Sequence, residues 1–471
     1  MLLNVGIRFA KLKKGGDELK TTSVLLTEGR ITKKIISFAL PVLIGYIFQS
    51  LYNSVDSVVV GQFVGTTALA AVSSCSDIAL LMIAFFVGFS TGSGVLFAQF
   101  FGAKDRKNLH DAIHTSVLFA VIIGFGMAVL GIVLTPLLLK IVSCPPDVYP
   151  EAAQYLRIYL IGILFTSTYN IGAGVLRAVG DSLSPLYYLI TSSLVNVGLD
   201  LLFVAVLGMG VIGVAVATVL SQLVSVILVF RKMIRTNDVY KLTVKDLKID
   251  RNLLRQVFAL GMPAAIHGCV VSVSDLFLLR YVNSFGSAAM AGIGSAKKID
   301  KFITIVADSL GLTVATFIGQ NLGAWNFKRI KQGIRSCVAL ALGTVAVIGS
   351  VVYIFAPTLM KIFTSDSKAV AYGVDMIHAI VPLYAMQTFN SVFVNVSRGF
   401  GKAKFAMLCS IGGIVICRQA FLAITMSFSH NVAFVYYSYP VGWGTAGLAE
   451  LFYYLFYIRR VHIPRLMRGH R

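Results

Sequence analysis

Twelve stretches of this chain keep to apolar residues for about twenty positions or more, and that repetition constrains the fold more than any other feature. They run near 36–60, 68–100, 112–136, 153–176, 184–206, 211–231, 256–281, 287–321, 333–356, 370–397, 403–427 and 440–459. An α-helix rises 1.5 Å per residue, so about 20 apolar residues cross a bilayer core about 30 Å thick. A soluble domain carries roughly 25% charged residues. Here 13% are charged and 57% hydrophobic, which excludes a soluble globular protein. The 42 glycines are scattered through the apolar runs, so the chain is not a disordered linker either. The expectation is an all-α polytopic membrane protein with twelve transmembrane helices. The second and eighth spans exceed what a bilayer needs, which means tilt or extension beyond it.

Basic residues near span ends are retained on the cytoplasmic side. Of the 41 Lys and Arg, 32 fall on one set of alternate connections and the termini, while Lys140, Lys361 and Lys368 alone fall on the other set. Both termini are therefore expected inside, in a multi-pass protein of the plasma (inner) membrane. The first 35 residues are basic and lack the apolar core of a signal peptide, so they read as a cytoplasmic extension. A net charge of +21 invites a nucleic-acid reading, but the basic residues alternate with apolar spans, where topology and anionic lipid explain them. No nucleic-acid partner is expected.

An internal repeat fixes the architecture. At an offset of 221 residues Gly65 pairs with Gly286, Ala68 with Ala289, Gln99 with Gln320, Gly102 with Gly323, Lys107 with Lys328, Arg177 with Arg398 and Gly180 with Gly401. Each unit holds six spans, an even number, so both units enter from the same side. They form two six-helix lobes related by a pseudo-two-fold axis along the membrane normal. The expected organisation is an extension over 1–35, an N-lobe over 36–231, a basic linker over 232–255, a C-lobe over 256–460 and a basic tail over 461–471. Two facing bundles with a cleft between them suit alternating access. The plainer alternative is that duplication only made a large bundle, as in some channels and scaffolds.

Eight acidic residues fall within the spans: Asp56, Asp77, Asp200, Asp275, Asp300, Asp308, Asp375 and Glu450. At bilayer depth each costs a few kcal/mol unless paired, protonated or facing a wet cavity. Asp56, before an outer turn placed at Gly61, Asp200, before Val206, and Thr218, after Gly210, share one level roughly 8–12 Å from the outer helix ends. Asn196 and Asp200, four apart, share a helix face. These four residues would bind a proton or a small hard cation, since two carboxylates in a dry pocket tend to share a proton and the same oxygens are ligands for Na⁺. Satisfied buried carboxylates are the structural alternative. The second half does not copy the group: Asn196 maps to Cys417, Asp200 to Phe421, and Asp275 stands two residues out of register with Asp56.

Other expectations are secondary. Asp300 and Asp308 stand near Lys297, Lys298 and Lys301, where charge pairing or a place on a cavity wall explains them. Arg418 needs a partner, for which Glu450 or Asp375 is suggested. Pro41 and Pro263 enter the first span of each half and are candidate hinges. Gly88 and Gly92 allow close helix packing. There is no GxxxxGK[ST], and the GxGxxG at Gly208–Gly213 lies in a short turn without a preceding strand. The six cysteines show no metal spacing, and no nucleophile–base pairing marks an enzyme. No cofactor is expected.

Several motifs in order resemble one family. Leu40-Pro41 to Asp56, the QFFGAKD from Gln99, the RAVGDSLSP from Arg177, the NVGLD from Asn196, the GVIGVAVATVLSQ from Gly210 and the GQNLGAWNFKRI from Gly319 are similar to the multidrug and toxic compound extrusion (MATE) family over about residues 30–460. The resemblance implies two six-helix lobes, a central cavity open alternately to each side, and export driven by inward H⁺ or Na⁺. It places the family's cation-coupling residues on Asp56, Asn196, Asp200 and Thr218. Members with a second-lobe cation site carry a glutamate on helix 7 and an aspartate on helix 10, where this chain has His267 or Val270, and Gln387. The resulting expectation is a secondary antiporter, working as a monomer, that expels amphipathic, chiefly cationic, organic compounds. Phe85, Phe89, Phe165, Tyr169, Met290 and Asp275 are candidates for the cavity wall. The rivals are a lipid-linked oligosaccharide flippase of the same fold, whose cavity would want several basic groups, and a non-transporting membrane receptor or scaffold.

Overall fold

A computed structural model describes residues 25–142 and 144–469. Arg8, Lys11, Lys13, Lys14 and Lys20 of the expected extension, and the side chain of Asp77, lie outside the described residues. Twelve helical spans follow in order: α1 Ile31–Phe63, α2 Thr66–Gly102, α3 Arg106–Ile141, α4 Tyr149–Ala178, α5 Leu183–Val206, α6 Gly210–Arg235, α7 Arg251–Asn283, α8 Ser287–Gly323, α9 Phe327–Ile354, α10 Ser367–Gly399, α11 Ala403–Phe428 and α12 Ala433–Phe452. Eleven of them, all but α12, are long and apolar enough by composition alone to cross a membrane. The helices overrun the expected spans. The turn after α1 lies at Val64–Gly65 rather than at Gly61, and the linker shortens to 236–250 because α6 continues to Arg235 and α7 starts at Arg251. Ile463–Gly469 is also helical, within the segment expected as a tail.

The repeat is visible turn by turn. The helices α1 and α7 each have 33 residues, and α2 and α8 each have 37. Gly65 and Gly286 precede α2 and α8 at φ 117° and 89°, where a Cβ would be strained. Lys104 and Trp325, the matching residues after those helices, both take the left-handed conformation. Asp105 and Asn326 then cap α3 and α9, accepting from the backbone N–H of Asn108 at 3.1 Å and of Arg329 at 3.2 Å.

Packing follows membrane rules. Between Ala120 and Thr135 of α3 the buried positions are small, Ala120, Gly124, Ala128, Gly131 and Thr135, while Phe125, Val129, Val133 and Leu137 face outward as a lipid-side stripe. The lobes exchange helix halves. Ile35, Phe38, Ala39 and Val42 of α1 join the C-lobe core, and Leu253, Val257 and Ala265 of α7 join the N-lobe core around Phe97 and Ile113. Pro41 and Pro263 lie inside α1 and α7, within the stretches that pack on the opposite lobe.

The close approaches between α2 and α7 fall on their linker-side halves. A Cβ on Gly88 or Gly92 would collide with the backbone of Ala264 or of Leu260 and Gly261, which bears out the packing role expected of those glycines. Cys269 Sγ reaches Leu81 O at 3.8 Å. At the linker end Gly102 abuts the carbonyl of Gln320, and Gly323 abuts that of Gln99.

Candidate functional site

In the N-lobe, Asp56 of α1 meets Asn196 and Asp200 of α5. All three are buried: Asp56 is 9% exposed, Asn196 and Asp200 0%. The Asn196 amide, its orientation assigned from its neighbours, places its nitrogen 2.8 Å from Asp56 Oδ1 and 3.2 Å from Asp200 Oδ2 and donates to both. Asp200 Oδ1 is buried with no hydrogen-bond partner among the described residues. Such an atom carries a desolvation cost that a proton or an ion would relieve. The helix turns into a π-helical segment, Leu201–Val206, immediately after Asp200. Segments of this kind frequently accompany functional sites.

The structure thus brings together three of the four residues singled out by depth. Thr218 is buried on α6, but its hydroxyl donates to Val214 O at 3.0 Å, within its own helix. Sequence reasoning missed Tyr159 of α4, a buried phenol that is an electrostatic neighbour of Asp56. Its only sequence signal is a hydroxyl-bearing aromatic inside an apolar span.

The C-lobe differs from expectation in its pairings. Arg418 is partnered by Asp275 at 2.8 Å, neither by Glu450 nor by Asp375, because α7 runs beside the start of α11's last segment. Glu450 instead accepts from Ser397. Asp300 accepts a hydrogen bond from the Tyr384 hydroxyl, and Asp308 accepts from Ser391 at 3.0 Å. Hydroxyls from α10, rather than the lysines of α8, therefore satisfy both carboxylates. At the point where some family members hold a helix-7 glutamate, His267 Nδ1 stands 2.8 Å from Arg398 Nη2.

The expected wall residues separate. Phe89 is 3% exposed and packs its ring against Phe119 and Phe258, so it belongs to the core between α2, α3 and α7 rather than to a cavity wall. Phe85 and Phe165 are half-buried, Tyr169 donates to Pro185 O at 3.2 Å, and Met290 is exposed. His110, His114 and Asp246 cluster, but His114 places Nδ1 2.7 Å from His110 O and accepts from Thr243 N–H with Nε2 at 3.0 Å. Both its nitrogens are engaged, so the histidine ties the linker to α3 and leaves no lone pair for a metal.

Two duplicated six-helix lobes, joined at one end and holding a buried carboxylate–amide group in one of them, define a polytopic membrane protein of the transporter class. The MatE family model matches residues 41–202 and 263–424, equivalent parts of the two lobes, and the chain belongs to that family of efflux transporters. It is 29% identical over 443 residues to the "Probable multidrug resistance protein YoeA" of Bacillus subtilis, covering 92% of this chain and 95% of that one. It is 22% identical to the "Multidrug export protein MepA" of Staphylococcus haemolyticus, covering 84% and 87%. Among solved structures, an outward-facing multidrug resistance MATE family transporter superposes with a TM-score of 0.87 at 21% identity, over 96% of this chain and 100% of that one.

Proposed function

We propose that this chain is a secondary antiporter of the plasma membrane, both termini cytoplasmic, that exports amphipathic, chiefly cationic, organic compounds in exchange for H⁺ by alternating access. The observation that carries the reading is the Asn196 amide bridging Asp56 and Asp200, with Asp200 Oδ1 left unpartnered. Two carboxyls held against one amide, away from water, form a group that takes up and releases a single proton. The amide turns N–H donors toward the carboxylates, which suits that exchange better than an all-oxygen cage for Na⁺. With the linker end cytoplasmic, the close contacts between α2 and α7 lie on the inner side, and substrate would leave from the outer side. Asp56 lies on the same helix as Pro41, so a proton arriving at Asp56 acts on the helix that crosses between the lobes. The names of the relatives favour drugs over lipid-linked oligosaccharides as cargo.

The test is efflux of a fluorescent lipophilic cation from proteoliposomes under a pH gradient or a Na⁺ gradient, for wild type and Asp56→Asn. Efflux driven by the pH gradient and lost in the variant supports the proposal. Efflux driven only by Na⁺ replaces the ion, and no efflux from folded protein under either gradient overturns the drug-cation reading.

A further inference from the structure

The C-lobe counterpart of the carboxylate–amide group has the opposite hydrogen-bonding character. Tyr439 is the 221-residue repeat mate of Thr218, Arg418 that of Val197 beside Asn196, and Asp275 stands two positions from the mate of Asp56. Where the N-lobe gathers acceptors, the C-lobe gathers donors. Arg418, 2% exposed, gives Nη1 to Asp275 at 2.8 Å and Nη2 to Ser274 Oγ at 2.6 Å. Its Nε is buried and unpartnered among the described residues, as is the hydroxyl of Tyr439, which is 7% exposed. The Lys297 ammonium lies 5.4 Å from the centre of the Tyr439 ring, and the Arg418 guanidinium lies 5.7 Å from it. Among the described residues Lys297 makes no ion pair; Asp275 and Asp300 act on it from beyond ion-pair distance, and Asp300 accepts from Tyr384. The charges of Arg418, Lys297, Asp275 and Asp300 balance by count, yet the donors outnumber the acceptors. Buried polar groups are nearly always satisfied, so this surplus calls for an acceptor from outside the chain.

The group is reachable from the cleft. Gly261 and Gly268 of α7 pack against α2. Asp275 follows them by about four and two helical turns, on the same face. Its carboxylate is 47% exposed, and it lies beyond the contact of Cys269 with Leu81 along α7. Trp443, stacked on Tyr384 with centroids 5.9 Å apart and 5.6 Å from Tyr439, supplies an apolar wall beside the donors.

We propose that Arg418, Lys297 and Tyr439 form a subsite for an oxyanion, a carboxylate or phosphate carried on an aromatic or aliphatic body, which lies against Tyr439 and Trp443. The proposal rests on the two-lobe cleft of the antiporter reading but adds an anionic group to the chemistry the protein accepts. The oxyanion reaches the donors past Asp275, whose carboxylate keeps Arg418 compensated while the subsite is vacant. The anion has two sources, an amphiphile in the cleft or a phospholipid headgroup.

The chain has two tryptophans, so a Trp325→Phe background leaves Trp443 as the sole reporter. In phosphatidylcholine nanodiscs, tryptophan quenching is titrated with 4-nitrobenzoate, its methyl ester and 4-nitrobenzylamine. The expected result is saturable quenching by the carboxylate, about tenfold tighter than by the ester or the amine. Lys297→Gln should weaken it by about tenfold, and Arg418→Gln by at least as much. Lys297→Gln is the safer variant, since its side chain has no ion pair to lose; thermal unfolding confirms that each variant is folded. Equal affinity for carboxylate and ester, or no change in Lys297→Gln, overturns the proposal. Repeating the titration with phosphatidylglycerol in the disc assigns the source: competition by the lipid identifies a headgroup, and unchanged affinity identifies a free amphiphile. Binding is read without transport, so a failure of coupled efflux leaves this result standing, and loss of the carboxylate preference leaves the efflux result standing.

Discussion

Gln99 and Gln320, one residue of the repeat seen twice, each reach across the pseudo-two-fold axis to the helix end of the other lobe. Gln320 Nε2 donates to Ala178 O at 2.8 Å, and Gln99 Nε2 donates to Gly399 O at 3.2 Å; Ala178 and Gly399 are themselves repeat mates. The symmetry is broken in one respect. Gln320 Oε1 also accepts from Leu26 N–H at 2.9 Å, whereas Gln99 Oε1 is buried without a partner among the described residues. The segment before α1 is held there further by Arg329, which donates to the carbonyls of Leu26, Glu28 and Gly29.

This asymmetry gives a first prediction. A net hydrogen bond contributes about 1 kcal/mol; Gln320 spans the lobes with the shorter bond, 2.8 Å against 3.2 Å for Gln99, and also anchors the Leu26 segment. Gln320→Ala should therefore open the linker end more than Gln99→Ala. Spin labels at Lys104 and Trp325, the matching turn residues of the two lobes, would read the separation by pulsed electron resonance. Equal distance distributions in the two variants would refute the account.

Gly102 and Gly323 admit no side chain, since an added Cβ at either meets the Gln320 or Gln99 carbonyl of the opposite lobe. Valine at either position should push the lobes apart at the linker end and lower transport by about tenfold or more, while the two cores stay folded. Thermal unfolding within a few degrees of wild type, together with a longer distance between the same labels, is the expected signature.

Much of this was legible in the sequence because duplication writes each constraint twice. The offset of 221 predicted two lobes, and it carries down to cap residues and left-handed turns. Helical rise put Asp56 and Asp200 at one depth and the four-residue spacing put Asn196 on the face of Asp200, while the packing of α1 on α5 is what brings the three together. What depth does not give is azimuth. Phe89 lies at a level where a cavity wall was expected, yet faces Phe119 and Phe258 because α7 covers that side of α2. Arg418 was assigned partners by their presence in neighbouring spans, but Asp275 is the one that α7 turns toward it. Helix ends were also underread, because terminal turns such as Arg251–Arg255 are polar while still helical.

Within the N-lobe group, the residues should not respond alike. Thr218 spends its hydroxyl on Val214 O, so Thr218→Val should leave coupled efflux within about twofold of wild type. Asn196→Leu removes the amide that bridges the two carboxyls and should abolish coupling, since both then lose that donor. Efflux under a fixed pH gradient separates the cases. An inactive Thr218→Val, with Asn196→Leu active, would reverse the assignment.

The Arg418–Asp275 pair allows a double-variant test of the C-lobe. Asp275→Asn leaves a guanidinium that is 2% exposed without its counter-charge, and breaking such a pair typically costs about 3–5 kcal/mol. Asp275 is half exposed, which places the expected loss toward the lower end of that range. Arg418→Met alone should cost less, because the carboxylate left behind can take up water from the cleft. Asp275→Asn combined with Arg418→Met should recover much of the stability lost in Asp275→Asn, since the double variant buries no unpaired charge. Denaturation midpoints of the three variants in one detergent check the ordering. A double variant less stable than Asp275→Asn would show that Arg418 holds α7 and α11 through Ser274 rather than through the carboxylate.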